Sequence, residues 1–187
     1  MERPFTLEGF AIVSADGLMA DAEGVMPDAL RFEADWRYFQ DQLDRCSLCL
    51  IGRHTHEAAP NHMLRRRLIL STSVPGWHRE DDVTWWWNPV VLTLGEVLDE
   101  LIVAGDTVSV VGGTRVFDLV ASTLGFDRFH LSLADGVRLD RGKPVFSGTD
   151  SRDALRRALT EQGLGVQEKR ALSPADDLSL EIWARAR

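Results

Sequence analysis

The sequence predicts an α/β fold with a mainly parallel central sheet, helices on both faces and an antiparallel pair of strands at the C-terminal edge. Three observations carry this. Short apolar runs of strand length alternate with stretches whose apolar residues recur at helical spacing. The last two candidate strands are joined by a turn-rich segment, and the second of them alternates apolar and polar residues. No internal repeat, low-complexity stretch or linker interrupts the pattern, so residues 1–187 read as a single domain able to bury one sizeable core.

Taken in order, Phe10-Ala11-Ile12-Val13 is the apolar heart of a first strand that enters the loop Ala15-Asp16-Gly17. Arg31 to Leu43 carries Phe32, Trp36, Phe39 and Leu43 on one face of an amphipathic helix. Leu48 to Gly52 is a buried strand, followed by a loop or helix start at Arg53-His54-Thr55-His56-Glu57. Arg67 to Leu70 is a short strand closed by Ser71-Thr72-Ser73. Leu94 to Ala104 is helical, with Leu94, Val97, Leu98, Leu101 and Ile102 on one side. Val108 to Val111 is a strand ending in Gly112-Gly113, and a helix from Thr114 to Ser122 follows at once. Phe129 to Leu133 is a further strand. Gly165 to Leu172 and Leu178 to Ala184 form the C-terminal pair, with Leu178, Leu180, Ile182 and Ala184 on one face.

Hydrophobic residues at 44% and charged residues at 27% give a globular balance and exclude a disordered chain. The net charge of -8 argues against a general nucleic-acid binder, which needs a basic face, but leaves room for one local basic pocket. No signal peptide or membrane-length apolar run is present, so a cytoplasmic location without membrane contact is expected. Cys46 and Cys49 have CxxC spacing but lie at the start of a buried strand. Residues three apart there point to opposite faces, so they read as core thiols and no metal is expected.

Chemistry concentrates where strands end and helices begin, because backbone N–H groups there lack partners. Gly112-Gly113 allows close approach of a phosphate to the backbone, or is a tight turn. Arg53, His54 and Thr55 add a cation, an imidazole and a hydroxyl at a second strand end, and Ser71 and Thr72 add hydroxyls at a third. Three donor-rich ends suit an extended ligand with several phosphates, although no GxGxxG fingerprint is present. Asp35 adjoins the apolar stripe of its helix. It is either a solvated helix residue or a carboxylate beside an apolar pocket, able to bind a protonated or amidine-like heterocycle through two parallel hydrogen bonds.

At Leu50-Ile51-Gly52-Arg53-His54-Thr55 the chain resembles the dihydrofolate reductase superfamily, and the likeness runs in order along most of its length. Ser14-Ala15-Asp16-Gly17-Leu18-Met19-Ala20 is similar to the segment after the first strand, in a Ser-x-Asp-Gly form closer to the riboflavin-pathway reductase branch. Gly24-Val25-Met26-Pro27 resembles the loop that closes over the nicotinamide ring, and Ala34-Asp35-Trp36 to Phe39 the helix carrying the pterin-binding acid. Leu68 to Thr72 resembles the strand and turn that hold the adenosine 2'-phosphate. Val110 to Phe117 resembles the glycine-pair motif, and His130-Leu131-Ser132 the strand with a hydroxyl beside the acid.

The resemblance implies a dihydrofolate reductase-like three-layer fold and an NADPH-dependent reductase. Arg53, His54 and Thr55 would contact the pyrophosphate, Ser71 and Thr72 the 2'-phosphate, and Gly112, Gly113, Thr114, Arg115 and Val116 would cradle the cofactor, with Ile12 and Met19 near the nicotinamide. Phe10, Phe39, Val111 and Phe117 would border the substrate, Asp35 and Ser132 would be catalytic at its polar edge, and Arg65 would meet the carboxylate tail of a folate. The leading expectation is reduction of 7,8-dihydrofolate to tetrahydrofolate. A ribosylaminopyrimidine or other pterin-like substrate is the alternative, motivated by Asp16-Gly17 and by Gly142-Lys143-Pro144-Val145-Phe146, which looks like the riboflavin-pathway branch. A non-catalytic NADPH- or pterin-binding protein is a third, because Asp28 stands where dihydrofolate-specific members usually place tryptophan. The riboflavin branch also implies a homodimer. Trp85-Trp86-Trp87 reads as aromatic core or an interface patch.

Overall fold

The structure, a computed structural model, describes residues 3–185. The chain runs β1 (Thr6–Val13), β2 (Leu18–Ala20), α1 (Glu33–Leu43), β3 (Leu48–Gly52), α2 (Arg53–Ala58), β4 (Arg67–Leu70), β5 (Trp77–Arg79) and β6 (Thr84–Trp87). It continues through α3 (Leu94–Leu101), β7 (Thr107–Val110), α4 (Thr114–Ser122), β8 (Arg128–Ala134), β9 (Lys143–Pro144), α5 (Arg152–Glu161), β10 (Leu164–Ser173) and β11 (Leu178–Arg185).

Nine strands form one sheet in the order β10-β11-β8-β1-β7-β3-β4-β6-β5. The central pairs β8-β1, β1-β7, β7-β3, β3-β4 and β4-β6 are parallel. Antiparallel strands close both edges, β10-β11 on β8 as the alternation predicts, and β5 on β6 at the other end. The α/β expectation of a mainly parallel sheet with a C-terminal antiparallel edge holds.

Strand alternation divides the residues between two faces. Leu7, Val13, Leu48, Leu50, Val108, Val110, Phe129, Leu131 and Leu133 join the apolar sides of α3, α4 and α5 in the largest core. Phe117, Phe126, Phe129 and Phe146 are packed edge-on or tilted within it. On the other face, Cys49, Ile51 and Ile69 pack with Trp86 and Val111. There Phe39 of α1 meets Phe10 of β1 with ring centroids 5.8 Å apart. The tryptophan run is a strand: Trp85 and Trp87 enter the large core, while Trp86 packs on the opposite face against His56. That settles it as core.

Two helices are shorter than their patterns suggest, α3 at its end and α1 at its start. Ile102 is the extended C-cap of α3, and α1 begins at Glu33 after an extended Phe32. Cys46 lies before β3 and Cys49 within it. Both are free thiols, and burial pushes both up, Cys46 to about 12. Such thiols are inert at neutral pH.

Candidate functional site

Parallel strands present their C-terminal ends along one edge, so β4, β3, β7 and β1, neighbours in the sheet, line a single crevice. The crossover from β1 to β3 runs through α1, and that from β7 to β8 through α4 on the other face. The crevice therefore lies where the crossovers diverge, the usual ligand position in open α/β sheets. Adjacent strands are about 4.8 Å apart. The three donor-rich junctions expected from the sequence thus stand side by side, and the Asp35 site follows one strand further on.

At the centre, Gly112 and Gly113 are joined by a cis peptide bond, and Gly112 has φ +96°. A Cβ on Gly112 would lie 3.0 Å from the Phe117 ring, and one on Gly52 would lie 3.4 Å from Val116 Cγ2 and 3.6 Å from the Gly112 carbonyl oxygen. Side chains there would press into the buried Phe117 and Val116 beneath the strand ends, so glycine is what lets the two turns sit this close to the core. α4 starts at Gly113 without a side-chain cap, which leaves its positive end facing the groove. Arg53, His54 and Arg115 stand at the rim; the Arg53 guanidinium is 2.9 Å from His54 Nε2.

A roof comes from β2, which pairs with β9 through Leu18↔Pro144 and Ala20↔Lys143. Met19 Cε approaches the Cβ position of Gly113 at 4.0 Å, and the Thr114 hydroxyl donates to the Pro144 carbonyl at 2.5 Å. Gly142 lies so close to β2 that a Cβ would be 2.0 Å from the Ala20 carbonyl oxygen. The Ser-x-Asp-Gly turn braces this roof. The Asp16 carboxylate accepts from the Ser14 hydroxyl and from the backbone N–H groups of Leu139 and Asp140.

Asp35, in the first turn of α1, faces β8. Burial pushes its carboxyl above the ordinary range, and a hydrogen bond with the Ser132 hydroxyl pulls it back only in part. Phe10 and Ile12 on β1 lie beside His130 and Ser132 on β8, in the register Phe10↔His130 and Ile12↔Ser132. Asp35, Ser132, Phe10, Phe39 and Ile12 therefore come together as expected, as an acid and a hydroxyl on an aromatic floor.

Four residues singled out in the sequence have side chains already engaged within the protein. Phe117 is 1% exposed within the phenylalanine cluster, so it props Gly112 from below and borders no ligand. Val116 is likewise buried and backs Gly52. Ser71 is buried, and its hydroxyl accepts from the Ser73 N–H at 3.2 Å; among the two hydroxyls only Thr72 is exposed at that strand end. Arg65 is held by Asp44 at 2.5 Å and Gln40 at 2.6 Å. Neighbouring Arg66 caps Leu101 and Arg67 meets Ala59, so each cation of the arginine run already has a protein partner. Val111 is half-buried on the α1 face, beside Ile51, and Thr55 is half-buried in α2.

A chain of groups missed by the sequence reading lies under α1. His130 stacks on Phe10, accepts from the Tyr38 hydroxyl at 2.5 Å through Nδ1, and donates from Nε2 to Glu8 at 3.2 Å. A carboxylate only accepts, so this tautomer satisfies all three groups.

No protein-family profile and no curated protein matches the chain. Solved structures do. A putative riboflavin biosynthesis protein from Shewanella sp. PV-4 aligns over 97% of this chain and 99% of its own, with TM-score 0.67 and 18% identity. Dihydrofolate reductase from Enterococcus faecalis, solved with NADP(H) and RAB-propyl, aligns over 97% of both chains, with TM-score 0.68 and 15% identity. The chain has the dihydrofolate reductase-like fold. Among the described residues no helix is long and apolar enough to cross a membrane.

Proposed function

We propose that this protein is an NADPH-dependent reductase acting on a C=N bond of a pterin- or pyrimidine-like substrate, with the ring bond of 7,8-dihydrofolate as the leading case. The observation that carries the reading is Asp35, a carboxyl raised by burial, beside Ser132 and the Phe10–Phe39 floor at the end of the glycine-lined crevice.

The groove at Gly52, Gly112 and Gly113 fits an extended phosphate-bearing cofactor, with Arg53, His54, Thr72 and Arg115 as its polar contacts and Met19 and Ile12 at its ring end. NADPH supplies the hydride when bound. The chain's own residues do the rest. Phe10 and Phe39 hold the flat ring, Asp35 accepts its amidine-type N–H groups, and Ser132 fixes the Asp35 oxygen. The proton that accompanies reduction goes to the nitrogen of the reduced C=N bond. A carboxyl raised towards neutrality is suited to relaying it from water.

One observation favours a second substrate. Arg65, the residue that would meet a folate tail, is already paired with Asp44 and Gln40, which suits a ribosylaminopyrimidine lacking that tail. NADPH oxidation followed at its absorbance maximum with each substrate decides. Turnover of dihydrofolate supports the leading reading, and turnover of the pyrimidine alone supports the second. NADPH binding with turnover of neither would overturn both in favour of a non-catalytic binder.

A further inference from the structure

Two hollows lie away from the crevice, both along the C-terminal hairpin. In the one of about 430 Å³, the lining cations are tied into ion pairs, Arg152 with Asp135 and both Arg156 and Lys169 with Glu181, while Arg170 lies at its border with the second hollow. The other, of about 380 Å³, lies between the C-terminal end of α1, β8 and β10, and its charges do not balance. Arg45 beyond α1, Arg128 on β8 and Arg170 on β10 converge on it, against Glu168 as the one lining carboxylate. Arg128 shares Glu8 beneath, at 3.2 Å, and Arg170 lies 3.4 Å from Glu168 and 5.2 Å over the Tyr38 ring. The Arg45 side chain has no hydrogen-bond or ion-pair partner among the described residues.

We infer that this hollow is a binding site for a small, multiply charged oxyanion, separate from the crevice. Glu8 and Glu168 offset Arg128 and Arg170, so the hollow keeps the uncompensated charge of Arg45 beside two further guanidinium forks, an uncommon concentration of cations in a chain of net charge -8. Planar guanidinium forks match the oxygens of phosphate and carboxylate groups. The helix end here presents carbonyls, which disfavour anions, so the attraction comes from the arginines. Tyr38 and His130 form a rigid floor, and Gln42 and Gln167 add neutral amides at the wall. The volume suits a ligand of diphosphate or tricarboxylate size. From Asp35 to Gln42 the helix rises about 10 Å, so the two sites do not overlap.

Tyr38 is the only tyrosine in the chain, so fluorotyrosine labelling gives a single ¹⁹F resonance inside the hollow. Pyrophosphate and citrate are titrated separately at constant ionic strength, with chloride as the reference. The expected result is a saturable shift with one or both, the tighter naming phosphate or carboxylate as the preferred group. Arg45→Gln and Arg170→Gln should each raise the Kd about tenfold, the loss of one charge-assisted contact. A shift no larger than that caused by chloride, or a midpoint unchanged in both variants, overturns the site. NADPH binding in Arg45→Gln stays at the wild-type level, which keeps this result independent of the reductase reading.

Discussion

His130 lies flat against Phe10, with ring centroids 4.5 Å apart and planes inclined by 13°. The floor of the candidate substrate site thus rests on a ring that is fixed on both sides, by Tyr38 at Nδ1 and by Glu8 at Nε2. Burial pushes the Glu8 carboxyl up, but the His130 hydrogen bond and the Arg128 charge outweigh it and hold it below its ordinary value.

Removing a member of that chain has a graded cost. Tyr38→Phe deletes one hydrogen bond and is expected to lower stability by about 1 kcal/mol. His130→Leu strands the Tyr38 hydroxyl and the Glu8 carboxylate together, and about 2–3 kcal/mol is expected. Urea denaturation of the two variants and of the double variant measures both. The double variant should cost less than the sum, because the partners share one network.

Glu181 should shape the acid limb of the stability curve. Its carboxylate is 2% exposed and accepts from Arg156, Lys169 and the Trp183 indole. Burial raises its pKa, while the Arg156 and Lys169 hydrogen bonds overcome that and lower it on balance. A lowered folded-state pKa gives stability that is present above the ordinary carboxylate range and lost as pH falls through the lowered value. Glu181→Gln is therefore expected to cost about 1–3 kcal/mol at neutral pH and less in acid. Denaturation midpoints against pH check this; a difference that does not vary with pH goes against it.

Gly142 is the tightest point of the roof. An added Cβ would collide with the Ala20 carbonyl at 2.0 Å, whereas one on Gly76 would meet nothing within 4 Å. Gly142→Ala is expected to lose about 1–3 kcal/mol and to weaken NADPH binding by moving β2 off the glycine pair. Gly76→Ala should stay within about 0.5 kcal/mol of wild type. Thermal melts and an NADPH titration of both variants give the comparison.

Much of this frame was legible in the sequence, for local reasons. β3, β4 and α4 match their expected bounds because each is a dense apolar run or stripe closed by Gly, Ser or Thr. α5 escaped notice because Leu155 and Leu159 are its only fully buried residues in a mostly charged stretch, although the Ser151 cap was there to be seen. β5 is exposed throughout and has no alternation to betray it. The site divides in the same way. Asp35 beside apolar neighbours could be singled out, but its solvation could not be judged from spacing alone. Glu8, Tyr38 and His130 meet only across 92 and 122 residues of chain, so no local pattern announces them. Whether a polar residue near a strand end faces a ligand or its own loop, as with Ser71 and Arg65, depends on partners that only the folded chain supplies.

Asp35 should be dispensable for stability. Its folded-state carboxyl is raised by burial, so the native state binds the proton more tightly than the unfolded chain, and stability falls as pH climbs from the ordinary carboxylate range through the raised value. Asn carries no charge to bury. Asp35→Asn is expected to melt at or above the wild-type temperature at neutral pH, which calorimetry would show.

That property makes one experiment the most direct test of the account: the pH profile of NADPH-dependent dihydrofolate and pyrimidine reduction by wild type and by the folded Asp35→Asn variant. Wild-type turnover is expected to decline as the Asp35 carboxyl ionises, and the variant to lose at least about 100-fold at neutral pH. Full turnover by Asp35→Asn across the pH range would contradict the assignment of the acid and, with it, reduction at this site.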